Sequence, residues 1–220
     1  MPKISDAHEQ QQREKILHAA ATCFRDRGYH ETSVQDICDA AKLSKGGLYT
    51  YFESKDEIMA AVIDESFIDT LRAAQAAASD GGTAIDKLDR VVAVLVDRLV
   101  SEEAHPVHSP QLHLEIWAEA SKNAHLRALC VQAYDRWKTF LAGLLREGMR
   151  QGLIRSDIDP EGIAATLVAV FDGLSLQESI ARTHVDWPSV MATLRLGLGE
   201  GIFTPAAGNA STAAKSGGRQ

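Results

Sequence analysis

The chain is poor in cysteine, and its 220 residues include only Cys23, Cys38 and Cys130. An odd number without metal-ligand spacing excludes a disulfide framework and points to a reducing compartment with free thiols. No apolar run approaches the ~20 residues needed to cross a bilayer; the longest are Val91–Val96 and Ile163–Phe171. Pro2–Arg13 is polar and lacks the apolar stretch of a secretory signal. Strict apolar–polar alternation is missing at strand length, which argues against a half-buried sheet. Walker, HExxH and GxSxG motifs are missing too, as is a nucleophile–base set, so neither an enzyme nor a cofactor is expected. What is present is an ordinary globular balance, 45% hydrophobic and 24% charged. That excludes a disordered chain and predicts a cytoplasmic protein, without a membrane partner, whose core folds unaided. The net charge of −7 argues against a polyanionic partner for the chain as a whole. A small basic face would escape that argument.

Nearly every apolar stretch keeps the helical period. Ile16, Leu17, Ala20, Cys23 and Phe24 form one stripe that stops at Gly28. Val34, Ile37, Cys38 and Ala41 form a second, and Lys45–Phe52 is a third short segment. Ser54 with Glu57 has capping-box spacing and opens a helix that can run to Ala78. Beyond Ser79–Gly82, turn residues separate longer helices over about 85–99, 111–120, 123–152 and 161–181, with a last one from Pro188 to about Phe203. Thr204–Gln220 is small, polar and glycine-rich, which predicts disorder. The expected architecture is all-α. A three-helix, helix-turn-helix domain (1–53) is joined by a long helix to a larger helical ligand-binding and dimerisation domain (54–203), and a tail (204–220) follows.

Two short helices around a tight turn suit a helix-turn-helix. Thr32 and Gln35 have capping-box spacing, and Ser44 can cap the second helix. Gly46 and Gly47 open that helix against their propensity, which makes sense where another backbone approaches closely. Lys42, Lys45 and Lys55 face a single acid, Glu53, so this edge is locally basic. Lys55 opposes the dipole of its own helix, a placement easier to explain with an anion nearby. The plain alternative is the solvated surface of a helical bundle.

The run Gly28-Tyr29 to Ile37, continued by Ala40-Ala41-x-Leu43-Ser44-Lys45-Gly46-Gly47-Leu48-Tyr49-x-Tyr51-Phe52 and Ser54-Lys55-Asp56-Glu57, resembles the N-terminal domain of TetR-family regulators. The resemblance covers about residues 13–61. It implies a homodimer, most simply a repressor, that binds a palindromic double-stranded operator and responds to a small-molecule effector. Gly47 stands where the family often has a hydroxyl residue, and Lys42 where the turn often has glycine. By motif position and physics together, Thr32, Ser33, Tyr49, Tyr51 and Lys55 are expected at phosphates. Gln35, Lys45 and Thr50 are expected at base edges, beside the helix opening Ser44, Gly46 and Gly47.

In the larger half, Ile163, Leu167, Val170, Phe171 and Leu174 form a bulky core face. The opposite face of Ala165, Val168, Asp172, Ser175, Leu176 and Ser179, with Leu194 and Leu198 from the last helix, is expected at a two-fold helix–helix interface. Burial under another helix of the same chain is the alternative. His113, Trp117, Tyr134, Trp137, Phe140, Phe171 and Gln177 are expected around an effector pocket, although an aromatic at helical spacing is more often plain core. The body loosely resembles the choline-responsive subgroup of the family, and aromatic cages suit quaternary ammonium groups. His105, His108 and His113 lack a steady metal-ligand spacing, so no metal is expected. The competing functional readings are a helical partner-binding protein and a constitutive DNA binder without a ligand.

Overall fold

The computed structural model describes residues 6–100, 106–181, 185–190 and 193. Leu194, Leu198, His105 and the tail lie outside them, as does most of the expected last helix. Among the described residues there is no strand, and eight α-helices follow one another: α1 (Asp6–Arg27), α2 (Val34–Ala41), α3 (Lys45–Tyr49), α4 (Lys55–Ser79), α5 (Ala84–Val100), α6 (Pro110–Lys122), α7 (Ala124–Arg150) and α8 (Pro160–Ala181). A single 3-10 turn, Pro106–His108, precedes α6.

The helix ends follow the chain's own capping chemistry. Ser44, Ser54, Ser109 and Asn123 each accept a backbone N–H of the helix they open. Two details differ from expectation. The capping box of α2 is Ser33 with Asp36, one residue later than Thr32 with Gln35. Glu57 reaches back to the N–H of Glu53 rather than to that of Ser54. The α2–α3 turn places Lys42 in the left-handed region, at φ 54° and ψ 46°, where a side chain crowds its own backbone.

Two cores share the molecule. The first joins Ile16, Phe24, Ile37, Leu48 and Phe52 to Ile58 and Met59 of α4, and to Leu112 and Ile116 of α6. The core of the first three helices therefore crosses the sequence boundary at 53/54. The second holds Leu71 and Ala74 of α4, Val91 of α5, Trp137, Leu141 and Leu145 of α7, Ile154 and Ala164. α4 and α6 both touch α1, so each links the two halves.

Candidate nucleic-acid interface and effector cavity

The α1–α2 corner is held from several directions. Arg27 and the Ser33 backbone and hydroxyl all bond the Asp36 carboxylate. Those bonds, Ser33's foremost, hold its pKa down to about 2. The Lys55 ammonium donates to the carbonyls of Tyr29 (2.8 Å) and Thr32 (2.9 Å) and lies 4.4 Å from the centre of the Tyr29 ring. The Tyr29 hydroxyl donates to Asp56. From α6, Glu115 accepts the Tyr29 backbone N–H at 2.9 Å, and Glu119 meets His30 at the same distance.

These bonds revise one expectation and add an internal role to another residue. Thr32 is 1% exposed and its hydroxyl donates to the carbonyls of Gly28 and Cys23, so no phosphate can reach it in this conformation. Lys55 is half-buried, and a pair of carbonyls and a ring face offset its unfavourable helix position from inside the molecule. Tyr51 packs partly buried against the first core. Ser33, Gln35, Ser44, Lys45, Gly46, Tyr49 and Thr50 are exposed, and Gly47 is half-exposed. Within this group, Gln35 bonds Asp39, and Thr50 donates to the Gly46 carbonyl. A Cβ added at Gly46 would meet nothing within 4 Å. No neighbour inside the molecule requires glycine there.

The second half holds a cavity among α4, α5, α6, α7, α8 and Trp187, about 130 Å³ in volume. The wall is aliphatic along α5 and α8, with Tyr134, Trp137, Phe171 and Trp187 among its rings. Polar groups face it in pairs. Ser66 Oγ lies 3.1 Å from His113 Nε2, and Thr70 Oγ1 lies 3.2 Å from His108 Nδ1. Arg98 is bonded by the Asp69 carboxylate and by His108 Nε2. Trp117 Nε1 donates to the Tyr134 oxygen at 2.8 Å, and Asp172 lines the same cavity. Burial keeps the His113 ring neutral, its pKa lowered to about 4. Burial also raises Asp172 to about 6, against a smaller opposing effect of Tyr134.

Of the residues expected around a pocket, His113, Tyr134, Trp137 and Phe171 line this cavity. Trp117 sits one layer behind, ring-stacked on His113 at 6.2 Å, and Phe140 packs on Trp137 at 6.1 Å. Gln177 is exposed on α8, outside the wall. Sequence reading missed Ser66, Thr70, Arg98, His108 and Trp187, because α4 and α5 carry no local mark of a cavity between them.

The expected two-fold face is also redrawn. Val168 and Asp172 line the cavity, while Ser175 and Ser179 are buried within the chain itself. Their small side chains let neighbouring helices of the same subunit close in. Ala165 and Leu176 remain on an outward stripe with Ala169, Gly173 and Ile180, the last 70% exposed. α8 is the one described helix long and apolar enough to cross a membrane, at a mean hydropathy of 1.3. Among the described residues no three His, Cys, Asp or Glu side chains gather as metal ligands. Cys23, Cys38 and Cys130 are buried free thiols, and burial pushes Cys130 up to about 11.

Comparison with known proteins bears on both halves. Residues 16–62 match the family described as bacterial regulatory proteins, tetR family. Residues 84–198 match the C-terminal domain of BetI-type transcriptional repressors. The transcriptional repressor KstR2 of Rhodococcus jostii (strain RHA1) is 31% identical over 68% of this chain and 71% of its own. The repressor DhaR of Mycobacterium sp. (strain GP1) is 26% identical over 78% and 84%. A transcriptional regulator from Saccharomonospora viridis, solved in complex with choline, superposes with a TM-score of 0.74 at 25% identity, over 89% of this chain and all of that one. A TetR regulator from Chloroflexus aurantiacus J-10-FL shares the fold with a TM-score of 0.75 at 23% identity, over 89% and 98%.

Proposed function

This chain belongs to the TetR family of transcriptional regulators, and on that footing we propose that it is a repressor that binds a palindromic operator as a homodimer and is released by a small molecule in the body cavity. Residues 1–53 form the reading unit and 54–203 the sensing and pairing unit. The observation that carries the reading is the pairing of an exposed α2–α3 edge, which presents Lys42 and Lys45 to solvent, with a cavity whose polar groups lie on helices that also tie down the reader. Ser33 and Tyr49 meet phosphates in this account, while Gln35 and Lys45 reach base edges. Gly46 and Gly47 let the duplex backbone come close to α3.

Pairing uses the outward stripe Ala165, Ala169, Gly173, Leu176 and Ile180, since small residues allow close helix contact and the stripe is apolar, exposed at Ala165, Ala169 and Ile180 and partly so at Gly173 and Leu176. A second copy of α8 there also accounts for that helix's hydropathy without a membrane. Two readers then meet successive major grooves about 34–36 Å apart. A ligand among α4–α8 acts along two bars. α4 carries Ser66 and Thr70 at the cavity and Lys55 at the corner; α6 carries His113 at the cavity and Glu115 at the same corner. A preference of about 1–3 kcal/mol for one arrangement changes operator affinity about 5–150-fold.

A footprint on the DNA flanking the gene tests this. The expected result is one protected site with two-fold symmetry. Protection without symmetry, or none at all, contradicts the dimeric regulator and favours the partner-binding alternative. A symmetric footprint whose strength no small molecule changes favours the constitutive DNA binder.

A further inference from the structure

The fixed charges around the cavity are unevenly matched. Arg98 lines it from α5, but its guanidinium is already held by Asp69 and His108. His113 is bonded to Ser66 and carries no charge at neutral pH. Asp172 enters from α8 into the same cavity as Tyr134, whose oxygen is engaged by Trp117. Among the described residues that line the cavity, Arg98 is the only permanent cation, and it is spoken for. A carboxylate so placed gains most from a cation that can also donate a hydrogen bond. Ring faces complete the setting. Tyr134, Trp137, Phe171 and Trp187 line the same space, the last two 5.3 Å apart between ring centres, and such faces attract cations. Beyond the rings, Leu88, Val91 and Leu95 of α5 face Leu167 and Leu174 of α8 and offer nothing polar to a ligand.

We propose that the cavity takes a protonated amine on an apolar body, its N–H donating to the Asp172 carboxylate and its hydrocarbon lying between α5 and α8. The inference rests on the effector role proposed above and names the chemistry of that site. A carboxylate ligand would meet Asp172 as a like charge. A small, hydroxylated quaternary ammonium has no N–H to donate and leaves the aliphatic end unfilled.

The test is a tryptophan-fluorescence titration of the full chain at about pH 7.5 with octylamine, octyltrimethylammonium, octan-1-ol, octanoate and choline. Octylamine is expected to bind tightest, at least ten-fold above octan-1-ol, octanoate and choline. Asp172→Asn should cost octylamine at least ten-fold, and Asp172→Glu should keep most of the preference. Circular dichroism and a thermal melt establish that both variants fold. Equal or tighter binding of octanoate or octan-1-ol overturns the proposal. So does an octyltrimethylammonium affinity equal to that of octylamine, or an amine preference that survives in Asp172→Asn. Operator affinity is measured separately. Tight amine binding that leaves operator affinity unchanged upholds the site chemistry and contradicts the effector role. Absence of operator binding by the free protein contradicts the regulator reading alone.

Discussion

The two cores of this molecule are built on opposite plans. Around the reader, Phe24, Leu48 and Phe52 are buried to within 1% of full exclusion, and nearby polar groups are spent on backbone or on one another. In the body, Leu167, Phe171 and Leu174 of α8 stay half-exposed around a hollow, with hydroxyls, imidazoles and a carboxylate turned into it. The lesson is that filled packing fixes a geometry that must be presented to DNA, whereas the hollow leaves binding energy unspent until a ligand supplies it.

The sharpest way to break that contrast is to delete side chains from each half. Phe24→Ala should cost about 3–5 kcal/mol in denaturant unfolding, whereas Leu167→Ala on the cavity wall should cost less than about 1.5 kcal/mol. Equal losses would mean that the cavity is as tightly built as the reader.

The next effect comes from charge. Asp172 is raised from 3.8 to about 6 by burial, so its ionisation opposes folding. That penalty is nil below about pH 3.8, grows between there and about pH 6, and is full above. Asp172→Asn should therefore stabilise the protein by about 1–3 kcal/mol at neutral pH and by nothing near pH 3. His113 works in the other direction, because its lowered value of about 4 makes stability fall as pH drops below 6.5. In the wild type the two slopes oppose each other between about pH 4 and 6. Removing Asp172 unmasks the histidine slope, which chemical denaturation across that range would reveal.

Two lysines separate building from reading. Lys55→Ala should lose about 1–2 kcal/mol of stability, since a cation bonded to two carbonyls is removed from the corner. Lys45→Ala should leave stability unchanged and cost about 1–3 kcal/mol of discrimination at one base pair of the operator, read by competition with single-base operator variants. The smallest effect is at the turn. Lys42→Gly relieves a left-handed backbone and should stabilise by up to about 1 kcal/mol, visible as a small rise in Tm.

The same contrast explains what could be read from sequence. Helix starts at Ser44, Ser54, Asn123 and Pro110 are local, since cap and capped N–H lie within a few residues, and they were legible. The reader's motif is contiguous, so its exposed members were found together. Thr32 is buried because its bonding partners are carbonyls, which no residue type advertises, and carbonyls of the same corner also hold Lys55. The cavity gathers side chains from five helices and Trp187, and only its aromatic members stood out. Asp172 and Val168 were assigned to the wrong side of α8 by about a quarter-turn, because periodicity orders a helix's faces without saying which neighbour covers each. Ser175 and Ser179 followed the same error: small residues signal close packing and do not name the partner.

The central claim is that the hollow of the body and the grip of the reader are coupled. Its most direct test fills the hollow from within, with Leu95→Trp on the α5 wall, and measures operator Kd by titration on the fragment the footprint identifies. Coupling predicts a change of about 5–150-fold with the dimer intact. An operator Kd identical to wild type, in a variant whose cavity no longer admits ligand, would contradict it.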